Sequence, residues 1–404
     1  MKKIQIKTIY LLLTLFALFL LSLTSIFANL ELQKVDLGLK NITISELVSN
    51  PNNQGEFWVV VKSNSTEYTF KTVDSGNTWS KVNTPATPNR IVFQNKDKNI
   101  VAITTNDPKS SFAISKDNGK TWKSTSQEAF ISPLNLVVRD QNETLRLKGV
   151  AIDPNDANII YAGSVHHSSN VYAIRSHIFK SVDGGATWKE SDSGILHGLT
   201  TMNSIVIDSS NSNNIYVTTN SIGSFQGEAI YSSSDAGATW TRVGKKSIDR
   251  DVYDLVLVED KILAATRGGV FKRKVSETLW QNVNFNIVNA FDLTKNNNTL
   301  YVASREGLYK TNFNLDVWEK QNISVNLSND IVTNVEVDSG GTIMIALEKQ
   351  GLYVSSAKET KTIVKEEQKV EEPKVEKVEE KKVTKKKEKS ILQKIGDFFR
   401  SLFK

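Results

Sequence analysis

Residues 181–188 read SVDGGATW, and near copies stand at 72–79 (TVDSGNTW), 115–122 (SKDNGKTW) and 233–240 (SSDAGATW). Their aspartates, Asp74, Asp117, Asp183 and Asp235, are 43, 66 and 52 residues apart, and Trp280 and Trp318 follow Trp240 at intervals of 40 and 38. A period near forty residues marks a repeat architecture. A constellation that recurs four times reads as structural punctuation rather than as one catalytic site.

Each unit carries four short alternating apolar runs. The third unit reads LKGVAIDP, NIIYAGSV, HIFKSVD and TWKES, separated by Asn, Asp, Gly and Pro, the pattern of a four-stranded meander. The fifth (VYDLVLVED, KILAATR, GVFKRKV, LWQNV) and the sixth (VNAFDLTK, TLYVASR, GLYKTNF, VWEKQ) repeat the order without the octet. A seventh unit stops after three runs, and LELQKVDLGL at 30–39 supplies the missing strand from the other end of the domain. Closing a ring in this way removes free sheet edges. The expectation is an all-β chain: a single seven-bladed β-propeller over 29–357, with strand-exchange closure.

Within each unit the octet falls between the third and fourth runs, at a hairpin. Gly76, Gly119, Gly185 and Gly237 are suited to positive φ there, while the aspartates and the flanking hydroxyls accept or supply hydrogen bonds inside the turn. Trp79, Trp122, Trp188 and Trp240 bury their rings near the blade edge. The pattern S/T-x-D-x-G-x-T-W resembles the Asp-box, or BNR repeat, of sialidases, the sortilin ectodomain, two-propeller xyloglucanases and the photosystem II assembly factor family.

The ends of the chain are different in character. Residues 1–28 open with MKKIQIK, continue into an apolar stretch and end in SIFA, as an export signal cleaved after Ala28 would, or an uncleaved membrane anchor long enough for a ~30 Å hydrocarbon core. The chain has no cysteine, so a hydrophobic core and not disulfides must hold the exported domain. Residues 358–389 alternate Lys with Glu, lack aromatics and read as a charged spacer. In 390–404 the residues Ile391, Leu392, Ile395, Phe398, Phe399, Leu402 and Phe403 fall on one helical face, which suits a membrane surface, a partner or the propeller itself. The net charge of +6 resides in these ends, so the basic balance does not indicate nucleic acid.

Blade geometry sorts the remaining residues. Turns after first and third strands share the face of the octets; turns after second strands and inter-blade connections share the opposite face. On that rule Arg90, Arg146, Arg175, Arg250, Arg267 and Arg305 gather opposite the octets, as do His166, His167, His177 and His197. Guanidinium groups on one face suit capture of carboxylate or phosphate. The histidines have no tight metal-ligand spacing, and neither a metal nor a cofactor is expected.

Resemblance to sialidases implies an arginine clamp, a tyrosine nucleophile with a glutamate, and an F/Y-R-I-P motif; here Asn89-Arg90-Ile91-Val92 lacks both the aromatic and the proline. Resemblance to xyloglucanases implies acids between two propellers, and this chain has one. No pair of positioned carboxylates stands out. The photosystem II assembly factor family implies a non-enzymatic extracytoplasmic helper with an arginine-rich face. The sequence therefore points to an envelope-associated scaffold that binds an acidic protein segment or an anionic glycan, with membrane contact through its ends; a sialidase-like or xyloglucanase-like glycoside hydrolase is the alternative.

Overall fold

Runs of Val, Ile, Phe and Tyr broken every few residues by Asn, Asp, Gly and Ser give short strands rather than helices. The computed structural model describes residues 30–355 except 135–143, 168–175, 196–199, 222–228, 244–247, 249–250, 278, 285–286 and 324–330. The chain divides into units 1–358 and 359–404, and every described residue belongs to the first. Residues 1–28, 358–389 and the helical residues of 390–404 lie outside the described residues.

The described strands form seven four-stranded sheets, all antiparallel. Their innermost strands are Ile42–Ser49, Pro88–Phe93, Thr144–Ile152, Thr200–Ile207, Val252–Val258, Ala290–Asn296 and Val332–Val337. These touch in order, and the seventh touches the first, so the sheets close as a seven-bladed propeller. Six blades are sequential meanders. The seventh takes its outer strand from the N-terminus, with Leu32–Lys34 pairing with Gly351–Ser355 (Leu32 opposite Ser355). Leu30 N–H then reaches Asn322 O at 2.8 Å, tying the start of the chain to the end of blade six.

Second strands are buried on both faces, because each is flanked by strands of its own sheet and covered by neighbouring blades. Phe57, Trp58, Val59, Val60 and Val61 have no solvent exposure. A short helix, Glu128–Ile131, follows blade two and inserts Phe130 between Phe179 (centroids 5.2 Å apart) and Trp188 (4.9 Å) of blade three. Among the described residues no helix is long and apolar enough to cross a membrane.

The octets form the turns between third and fourth strands of blades one to four. In blade three Ser181 Oγ donates to Asp183 Oδ1 (2.8 Å) and accepts Gly185 N–H (2.8 Å); Asp183 accepts Thr187 N–H (2.8 Å) and the Thr187 hydroxyl (2.6 Å). Blades one, two and four repeat this set. The residue after each aspartate also binds a carbonyl of the first turn in its own blade: Ser75 to Gly55, Asn118 to Asn99, Gly184 to Asn158 and Ala236 to Asn213.

The octet glycine reaches across to the preceding blade. A Cβ on Gly119 would lie 2.3 Å from Trp58, on Gly185 2.4 Å from Phe112, and on Gly237 2.9 Å from Tyr161. The Lys71 ammonium donates to Asn118 O at 2.8 Å, and Lys180 to Ala236 O at 2.9 Å, in the same direction across the blade boundary. The turn is therefore both a hairpin clamp and a blade-to-blade socket.

Candidate functional site

The hydrogen bonds from octets to first turns place those two turn types on one face. Second-strand turns and inter-blade connections lie on the other, where each chain segment enters its innermost strand. Every innermost strand slips its register soon after that entry: between Ile44 and Glu46, Pro88 and Arg90, Leu147 and Gly149, Met202 and Ile205, Val252 and Asp254, Ala290 and Asp292, and Val332 and Asn334. A bulge at the same point in all seven blades re-aims the side chains around it.

The position just after the bulge holds Glu46, Arg90, Asp254, Asp292 and Asn334, and Glu336 follows two residues on. With Asn203 and Ser204 they line a central cavity of about 210 Å³. Inner-edge strands leave backbone N–H groups without a ladder partner, and the acids take them from the next blade: Ile91 N–H donates to Glu46 (3.2 Å) and Val335 N–H to Asp292 (2.9 Å). Glu336 accepts the hydroxyls of Ser49 (2.8 Å) and Thr294 (3.3 Å), while Ser204 donates to Asp254 at 3.2 Å.

Three of the four carboxylates, Glu46, Asp254 and Asp292, share one guanidinium. Arg90 pairs with Glu46 at 3.2 Å, and that charge, against the opposing effect of burial, raises the arginine further above its ordinary value. Burial raises Glu46 and Asp254, with Arg90 resisting in both cases. Asp292 is pushed up to about 7 by burial and then by the Asp254 charge; burial and Asp292 raise Glu336 well above the carboxylate range.

The residues skipped by the register at these bulges are not part of that lining; they include Ser45, Asn89, Lys148, Tyr253, Phe291 and Thr333. Tyr253 and Phe291, from adjacent blades, pack with centroids 5.7 Å apart. Beside them Arg267 and Arg305 occupy corresponding second-strand turns of blades five and six and are exposed. Their backbones are stitched together: Arg267 N–H donates to Asp251 O (3.2 Å), Asn289 N–H to Arg267 O (3.1 Å) and Arg305 N–H to Asn289 O (3.2 Å). Neither guanidinium has an ion-pair partner among the described residues. Arg146 is exposed at the entry of blade three, and its charge, after burial, lowers Lys148.

The residues singled out in the sequence thus separate. Arg146, Arg267 and Arg305 stand exposed on the face opposite the octets. Arg90 does not join them: its place after the bulge turns it into the acid ring, where Glu46 neutralises it. His177 is buried at the start of the third strand of blade three, with Nδ1 3.0 Å from both Glu190 Oε1 and Asp192 Oδ2. His166 and His167 end the second strand of that blade, their side chains outside the described residues, as are Arg175, Arg250 and His197 altogether. The acid ring was missed in the sequence, although an acid stands inside the first run of four units, in SELV, YDLV, FDLT and NVEV.

Comparison with known proteins agrees with this architecture. The Sortilin-Vps10 family model (sortilin, neurotensin receptor 3) matches residues 31–142. No curated protein matches the chain in sequence. Among solved structures, an ancestral GH74 enzyme superposes with a TM-score of 0.58 at 16% identity, over 80% of this chain and 46% of that one. YCF48 bound to D1 peptide gives 0.54 at 15% identity over 81% and 95%. PorZ, a surface component of the type-IX secretion system of Porphyromonas gingivalis, gives 0.52 at 13% identity over 78% and 46%. The chain thus spans less than half of the GH74 enzyme and of PorZ, and nearly all of YCF48. At these identities the likeness is one of fold.

Proposed function

We propose that the chain is a non-enzymatic extracytoplasmic scaffold that captures an acidic protein segment on the face opposite the octet turns. The observation that carries this reading is the pair of exposed guanidinium groups, Arg267 and Arg305, with no ion-pair partner among the described residues, held on stitched turns beside the Tyr253–Phe291 pair. An aromatic platform flanked by arginines supplies apolar area and carboxylate recognition together. A peptide-bound structure among its fold neighbours supports this kind of use. In the same reading the octets are Asp-box turns with a structural role, residues 1–28 direct export or anchor the chain, and 358–389 tether a membrane-surface helix at 390–404.

The glycoside hydrolase alternative has less support. The carboxylates brought together by the fold are engaged with backbone N–H groups, hydroxyls or Arg90. The test is binding of a fluorescent glutamate-rich peptide to the full chain. Replacing both arginines (Arg267→Glu, Arg305→Glu) should weaken binding by more than about tenfold and flatten its salt dependence. Lys98→Glu, on the octet face, should leave it unchanged. Equal affinity for all three proteins rules out the arginine face.

A further inference from the structure

The cluster around His177 shares the face opposite the octets but sits in blade three, apart from the Arg267–Arg305 pair of blades five and six and from the acid ring, and nothing in either explains it. We propose that His177, Glu190 and Asp192 form a binding site for a divalent transition-metal ion, of which zinc is the type. His177 immediately precedes the third strand of blade three (Ile178–Ser181), Glu190 ends the fourth (Lys189–Glu190), and Asp192 begins the connection to blade four. Antiparallel pairing of those strands, with Phe179 opposite Glu190, is what brings the three together. His177 is fixed from behind: Ser164 N–H donates to His177 O at 2.9 Å, and His177 N–H to Ser164 Oγ at 3.2 Å.

Three features favour a cation here. Two carboxylates from different chain positions converge on one imidazole nitrogen, Nδ1, which lies 3.0 Å from an oxygen of each. All three donor atoms lie within 4.8 Å of one another; ligands about 2.0–2.2 Å from a tetrahedral zinc are themselves about 3.3 Å apart, so small adjustments seat the ion. Two carboxylates with a neutral imidazole exactly balance a doubly charged ion, which matters because the His177 and Asp192 side chains are 6% and 7% exposed. Glu190, at 38%, leaves a way in from solvent. An imidazole among the donors selects zinc, cobalt or copper over magnesium or calcium. Three protein ligands leave one position for water or for a partner's side chain.

The test is titration of the metal-stripped full chain with Zn²⁺, and with Co²⁺ as a spectroscopic probe. The expected result is one saturable equivalent with visible cobalt absorption of four-coordinate type, and no competition from excess Mg²⁺. Glu190→Gln, at a part-exposed position where folding is retained, should weaken binding at least tenfold; His177→Gln and Asp192→Asn should abolish the cobalt band. His166→Gln and His197→Gln should leave it intact. Absence of saturable binding, or binding that follows His166 or His197 while ignoring Glu190, overturns the assignment.

Discussion

At the outer rim Asp183 accepts a hydroxyl from Ser181 and both the N–H and the hydroxyl of Thr187. At the centre Asp292 accepts N–H groups from Val335 and Leu293. Both carboxylates are thus held by short-range donors of similar kind, yet Asp183 is brought down to about 2, chiefly by the Thr187 hydroxyl, while burial pushes Asp292 up to about 7. Hydrogen bonding is common to the two; water and neighbouring charge are not. The rim aspartate faces solvent, whereas the central one sits among Glu46, Asp254 and Glu336 with Arg90 as the single countercharge lining the cavity. The same device, a carboxylate capping loose backbone donors, relaxes the chain at the rim and stores repulsion at the axis.

The largest expected effect tests whether the axis holds blades together. Glu46→Ala removes the carboxylate paired with Arg90 and uncaps Ile91 N–H at once, and should cost about 2 kcal/mol, less than a fully broken buried pair because Asp254 and Asp292 still act on the guanidinium and a third of the Arg90 side chain meets solvent. Glu46→Gln keeps an acceptor for Ile91 and should recover part of that loss. Urea unfolding at neutral pH measures both; a cost for Glu46→Ala no greater than that of Asp183→Ala would show that the ring contributes no more than a rim turn.

The next effect sharpens the rim side of the comparison. Gly185 has φ of 82°, and an added Cβ would meet Phe112 of blade two at 2.4 Å; Gly341 has φ of 86° with nothing within 4 Å. Both alanine variants bear the left-handed penalty of about 1 kcal/mol, but only Gly185→Ala adds overpacking of about 1 kcal/mol or more. Gly185→Ala should therefore melt well below Gly341→Ala. Equal melting temperatures would mean that the rim turn does not seat against the preceding blade.

The blades were legible because their signal is local. Alternating runs such as KILAATR and TLYVASR, and the Asp and Gly spacing of the octets, are set by neighbours in sequence, and the structure has a strand or turn at each. Even the exchanged strand could be found, as LELQKV has no other unit to complete. The centre was hidden because it depends on register. One extra residue before Glu46, Asp254 and Asp292 decides that these acids turn inward, and the same slip takes Arg90 out of the face where its place in the chain put it. The His177 cluster was hidden for a related reason: twelve residues separate His177 from Glu190, and only strand pairing removes the distance.

The smallest effect separates the two carboxylate sets by pH. A rim aspartate with a folded value near 2 and an unfolded one near 4 stabilises the fold fully above about pH 4, and that contribution disappears as pH falls through 2. Asp292 has the opposite sign. Its folded value near 7 exceeds the unfolded one, so between about pH 4 and 7 the native state holds the extra proton and stability falls as pH rises. The two sets together place the stability maximum contributed by these acids on the mildly acidic side, near pH 4. Asp292→Asn removes the ionisable group but keeps an acceptor for Val335 N–H, so it should flatten the decline between pH 4 and 7 while leaving the acid limb unchanged. The ability of Asp254 and Glu336 to take up the proton instead limits the gain at pH 7 to about 1 kcal/mol. Melting temperatures of the two proteins across pH 3–8 measure it: parallel curves would mean that the central acids ionise as freely as those at the rim, and the contrast between axis and rim would reduce to position alone.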